Sequence, residues 1–121
     1  MSVIPLSNDN FDTIVQSNDL VVIDFWAQWC APCKGFTLIL EEAAKRHKDA
    51  VFASVDIEKE PELADEFNVR SVPWVMILRE QVAVYDDSGA LTASAMDELI
   101  EQARTLDIES LKRNCSQDDS E

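Results

Sequence analysis

The sequence predicts an α/β fold, a central mixed sheet of about five strands flanked by four helices, and three observations predict it. Short apolar runs rich in β-branched residues alternate with segments of helical periodicity from Val3 to Phe67. Two further apolar runs lie three residues apart, the spacing of an antiparallel hairpin. A last amphipathic segment follows them. The chain has 121 residues and is 46% hydrophobic, enough for one core around a sheet and too short for a second domain.

Val3 to Leu6 reads as a first strand, and Ser7 as the cap of a helix that places Phe11, Ile14 and Val15 on one face. Leu20 to Ala27 is apolar enough to be a strand buried on both faces, with Asp24 in its middle, where a lone carboxylate is costly. From Cys33 to Lys48, Phe36, Ile39, Leu40, Ala43 and Ala44 recur at helical spacing, and Lys45, Arg46 and Lys48 suit the negative end of the helix dipole. Val51 to Ile57 is another buried strand, and Pro61 opens a short helix carrying Leu63, Ala64 and Phe67. Trp74 to Leu78 and Val82 to Tyr85 form the hairpin around Arg79, Glu80 and Gln81, with no Asn-Gly or Asp-Gly to mark its turn. Thr92 or Ser94 caps a final helix with Met96, Leu99, Ile100, Ala103 and Leu106 inside. The globular unit is thus expected over residues 1–106. Beyond it, 107–121 keeps only Ile108 and Leu111 as apolar anchors and reads as a helical extension running into a polar acidic tail.

With 24 acidic against 10 basic residues the net charge is −14, so a phosphate backbone is repelled and nucleic acid is excluded as a partner class. The first six residues lack both the basic start and the apolar run of a signal peptide. Leu20–Ile23 and Val72–Leu78, the longest apolar stretches, fall far short of the roughly 20 residues that cross a bilayer. A cytoplasmic chain without a membrane partner is expected, and there three cysteines do not make a disulfide framework.

Two of those cysteines stand in Trp26-Ala27-Gln28-Trp29-Cys30-Ala31-Pro32-Cys33-Lys34, where a buried strand hands over to a helix. At a helix N-terminus unpaired N–H groups and the positive dipole end favour thiolate over thiol, so the Cys30 pKa is expected to be depressed. The spacing puts Cys33 one helical step away, within reach of a disulfide and under the first turn, and Pro32 suits that turn because it needs no N–H there. A zinc site would need two further ligands. Only His47 and the remote Cys115 remain as soft ligands, so no metal is expected.

The segment Asp24 to Lys34 closely resembles the active-site segment of thioredoxins, with Ala31 where that family usually has glycine, and the likeness extends over roughly Ser7 to Leu106. Arg70-Ser71-Val72-Pro73 is similar to the family's cis-proline loop. The resemblance implies a thioredoxin fold and a thiol–disulfide oxidoreductase that reduces protein disulfides. It implies Cys30 as nucleophile, Cys33 as resolving cysteine and Asp24 as proton acceptor and donor with a raised pKa. It also implies Trp29, Val72, Pro73, Trp74 and Gly89 as the substrate-binding rim, and Ala31, Pro32 and Lys34 as the active-site turn. Electrons would come from NADPH through a thioredoxin reductase, with no cofactor held on the chain, and disulfide-containing proteins would be the substrates. For Asp24 the plainer reading is a buried, hydrogen-bonded structural carboxyl.

The chain departs from the family pattern at several positions. Trp74 replaces a small residue after the proline, either as an aromatic shielding the dithiol or as a strand tryptophan that merely packs. Ser54 stands where a lysine is common near the buried carboxyl, so Asp24 is expected to titrate higher. Leu38 replaces the helix-kinking proline, and Gln81 the hairpin glycine, from which a longer or different turn is expected. Cys115 lies outside the dithiol, a bystander or an exposed thiol for a disulfide-linked dimer of an otherwise monomeric protein. A rival of another class also remains: a thioredoxin-fold holdase or dedicated-partner binding module with redox regulation.

Overall fold

The computed structural model describes residues 3–106. Its elements are β1 (Val3–Pro5), α1 (Phe11–Gln16), β2 (Leu20–Trp26), α2 (Ala31–Arg46), β3 (Val51–Asp56), α3 (Pro61–Glu66), β4 (Trp74–Arg79), β5 (Val82–Ser88) and α4 (Ala93–Thr105). The five strands form one sheet in the order β1-β3-β2-β4-β5, parallel across β1, β3 and β2 and antiparallel from β2 through β4 to β5.

β2 is the central strand, and its side chains alternate between two cores. Val21, Ile23 and Phe25 face a cluster with Phe11 and Val15 of α1 and Leu63 of α3. Leu20 and Val22 face Phe36, Leu40 and Ala43 of α2 and Met96, Ile100 and Ala103 of α4. Each such aliphatic or aromatic side chain contributes about 1.5–3 kcal/mol on full burial, which overrides local turn chemistry and sets the strand's register. That register puts Asp24 on the α2 face, opposite Ser54 of β3 and Val75 of β4.

Three local expectations are corrected. The Ser7 side chain does not cap α1: a turn over residues 8–10 intervenes, Asn10 is the N-cap, and the Ser7 carbonyl accepts the Phe11 N–H at 3.0 Å while Asn10 Oδ1 accepts the Ser7 N–H at 2.7 Å. α2 starts at Ala31 rather than Cys33, because Cys30 is itself the N-cap, and it runs to Arg46 with Leu38 exposed. The hairpin turn is not longer. Arg79 pairs with Val82, and Glu80 and Gln81 both take positive φ, 50° and 71°, the pattern of a type I′ turn made without glycine. Strand pairing imposes this backbone on residues that do not favour it, and a bulge between Ile77 and Leu78 takes up the register change.

The end of the sheet distant from the cysteines is held by charge. Arg79 donates to the carbonyls of Ala103 at 2.9 Å and Arg104 at 2.7 Å, capping the last turn of α4. His47, the C-cap of α2, lies between Asp97 and Arg104, and Arg104 makes a two-bond pair with Asp49 at 2.7 and 2.9 Å. Thr92, not Ser94, caps α4 by accepting the Ala95 N–H. The extension and tail expected over 107–121, with Cys115, lie outside the described residues.

Candidate active site

β2 ends at Trp26, and the next four residues carry the chain to α2. The Ala27 carbonyl accepts the Cys30 N–H at 3.1 Å and holds the turn. Cys30 becomes the N-cap of a helix of 16 residues, with Pro32 in its first turn where no N–H is needed. The Cys30 Sγ accepts the Cys33 N–H at 3.2 Å, so an orphan donor of the helix N-terminus points at this sulfur. Cys30 and Cys33 are joined in a disulfide with their Cα atoms 5.3 Å apart. Ala31, Pro32 and Lys34 are exposed on the turn.

Both cysteines are buried, in a small cluster with Ala27 against which Trp26, Ile57 and Val72 pack. The loop before β4 therefore reaches the dithiol through Val72, and the Val72–Pro73 peptide is cis. The Pro73 carbonyl accepts the Gly89 N–H at 2.8 Å, which brings the end of β5 alongside, with Gly89 at φ 101°, a conformation glycine adopts without strain. Trp29 is 68% exposed, a large aromatic left in solvent next to the cysteine pair. The fold thus brings Trp29, Val72, Pro73 and Gly89 to one end of the sheet around the disulfide. Trp74 is placed otherwise: its ring packs against the α1–α3 cluster, and its indole N–H donates to Asp86 Oδ1 across the hairpin. That is the packing reading of this tryptophan rather than the shielding one, and the strand alternation explains it, since Trp74 falls on the face opposite Asp24 and Val75.

Asp24 lies under the first turns of α2, 1% exposed, and its Oδ1 has no hydrogen-bond partner among the described residues. The hydrogen-bonded structural carboxyl is therefore not what the fold contains at this oxygen. Burial pushes the carboxyl up to about 8, from an ordinary 3.8. A cleft of about 310 Å³ runs from β1 to α2, with Asp24, Cys33 and Ser54 all in its lining, so the carboxyl and the inner cysteine share one space. Sequence reasoning missed this cleft and the packing of Ile57 on the cysteines. Both depend on which strands become neighbours, and only the parallel register of β2 on β3 carried a signal for Ser54.

A disulfide capping a helix at the end of a mixed α/β sheet, beside a buried high-pKa carboxyl and a loop ending in a cis proline, defines a thiol–disulfide oxidoreductase. The family model for thioredoxin matches residues 2–102. A protein described as putative thioredoxin 2 of Streptomyces coelicolor is 47% identical over 112 residues, covering 93% of this chain and 84% of the relative. Among solved structures, a thioredoxin mutant from Halobacterium salinarum has a TM-score of 0.82 at 28% identity, covering 88% of this chain and 94% of its own. The short form of spinach chloroplast thioredoxin f has a TM-score of 0.79 at 33% identity, covering 86% and 95%. The chain belongs to the thioredoxin family. Its activity is disulfide exchange through a redox-active cysteine pair, and the rival binding-module reading is not favoured. Disulfide-containing proteins and a reductase are its general partner classes. No helix among the described residues is long and apolar enough to cross a membrane, and no group of three or more metal-ligating side chains occurs among them.

Proposed function

We propose that this chain is a cytoplasmic reductase of protein disulfides, working as a monomer, in which Cys30 attacks and Cys33 resolves. The observation that carries the reading is the asymmetry of the pair: Cys30 caps α2 with the Cys33 N–H aimed at its sulfur, while Cys33 is wholly buried beside the cleft that holds Asp24. In the reduced protein the orphan donors at the helix N-terminus favour the Cys30 thiolate. That thiolate attacks one sulfur of a substrate disulfide. The substrate S–S bond breaks, a mixed disulfide forms on Cys30, and the first substrate thiolate leaves. Cys33 then gives its proton to Asp24 and attacks the Cys30 sulfur, reforming the Cys30–Cys33 bond and releasing the second thiolate. Two electrons pass to the substrate, and Asp24 returns the proton when the dithiol is regenerated.

A carboxyl pushed up to about 8 suits this exchange, because near neutral pH both of its protonation states are within reach. The rim of Trp29, Val72, Pro73 and Gly89 would hold an extended substrate segment, with Val72 offering its main chain and Trp29 an apolar surface. Trp74 would act there only through the Pro73 backbone that it anchors. Electrons would be supplied from NADPH by a thioredoxin reductase, which makes the protein an electron-transport component of cell redox homeostasis with no bound cofactor. The catalytic unit would comprise residues 1–106, with 107–121 as an appendage and Cys115 able to link a dimer on oxidation. The test is NADPH-coupled reduction of insulin disulfides by a thioredoxin reductase and this protein, comparing wild type with Cys30→Ser. Turnover lost in the variant is expected. A wild type that is inactive even with dithiothreitol as reductant would overturn the reading.

A further inference from the structure

The cleft beside the cysteines has features that disulfide exchange does not require. Its walls are largely apolar, built from Val3 and Pro5 of β1, Trp26 of β2 and Leu40 of α2, and Ser54 opposite Asp24 is too short to fill it. At about 310 Å³ it falls at the small end of the range for ligand pockets. Within this apolar space Asp24 presents a buried oxygen, Oδ1, with no hydrogen-bond partner among the described residues. An acceptor desolvated without compensation is a standing cost, and a ligand that supplies a donor removes it.

We infer that this cleft is a binding site for a small, flat organic cation of the amidinium or guanidinium class, its N–H fork on the Asp24 carboxyl and its apolar body between Trp26 and Leu40. A planar fork matches a carboxylate in geometry and charge, giving two parallel charge-assisted hydrogen bonds where an ammonium offers a point charge. The net charge of −14 steers cations towards the protein. At pH 7 ionising a carboxyl that titrates near 8 reduces affinity only about tenfold, less than a desolvated, charge-assisted pair returns. Binding displaces the Asp24 proton, so affinity rises with pH up to about 8 and then levels. The other charged groups of the lining are Lys34 and Glu41 of α2; β1, β3 and β4 bring only Val3, Pro5, Ser54 and Val75 towards Asp24. An occupant would also cover Cys33 and hold Asp24 ionised. That consequence for turnover rests on the role proposed for Asp24, whereas the binding does not.

The test uses the oxidised protein and benzamidine as probe, followed by amide chemical-shift mapping in 0.2 M salt at pH 6, 7 and 8.5. Saturable shifts at Val3, Thr37 and Ser54 are expected, with an apparent affinity about tenfold higher at pH 7 than at pH 6. They should be lost in Asp24→Asn and also in Ser54→Leu, which narrows the cleft and keeps the carboxyl. Neutral benzamide should bind at least tenfold more weakly. Equal shifts in wild type and both variants would reduce the effect to cations on an acidic surface and overturn the proposal. So would the absence of shifts at the cleft residues, or benzamide binding as well as benzamidine. Because no turnover is measured, each of these results leaves the proposed reductase function standing.

Discussion

Replacing Asp24 with alanine should make the oxidised protein more stable at neutral pH and leave it little changed in acid. In the folded chain this carboxyl titrates at about 8 because burial penalises its charged form, against an ordinary 3.8. Between those values the folded state holds a proton that the unfolded state has released, so the stability of the wild type falls as pH rises. The loss is absent below about pH 4, grows by about 1.4 kcal/mol per pH unit, and levels above about pH 8. At pH 7 it amounts to about 4 kcal/mol, a large share of the 5–15 kcal/mol that holds a domain of this size together. The truncation opens space in a cleft that already exists and costs roughly 1 kcal/mol, so Asp24→Ala should gain about 3 kcal/mol at pH 7. Urea unfolding of both oxidised proteins at pH 4.5, 6, 7 and 8.5 measures the difference directly. Stability curves that stay parallel across that range would mean that Asp24 titrates like an exposed carboxyl, and the linkage would be wrong.

Arg79→Ala leaves the last carbonyls of α4 without their donor and should cost about 1–3 kcal/mol in urea unfolding; a change within 0.5 kcal/mol would show that water caps the helix as well. Gln81→Gly places glycine at φ 71° and should raise stability by about 0.5–1 kcal/mol, whereas a loss would mean that the side chain contributes contacts beyond the backbone geometry. Cys33→Ser, reduced and mixed with insulin, should accumulate a covalent adduct on Cys30 detectable by peptide mass mapping; adducts confined to Cys115 would contradict the order of attack. Trp29→Ala should raise KM for insulin several-fold with the Asp24-linked pH dependence of stability unchanged, and an unaltered KM would remove Trp29 from the docking rim.

Much of this protein follows from local pattern. The alternation of apolar strands with amphipathic helices, and a Cys-x-x-Cys turn between β2 and α2, depend on neighbours a few residues apart, which is the range over which hydrophobic periodicity and capping act. Asp24 was conspicuous for the same reason, as a carboxyl inside an apolar run. The tertiary structure decided what no local rule reaches. It placed Trp74 on the core side and gave its indole to Asp86, because strand alternation counted from the β2–β4 register leaves no choice of face. It forced Glu80 and Gln81 into positive φ, since pairing along both strands outweighs the preference of two residues. It also left Asp24 Oδ1 without a partner in a cleft shared with Cys33 and Ser54, because those three side chains become neighbours only when β3 pairs with β2 and α2 folds across them.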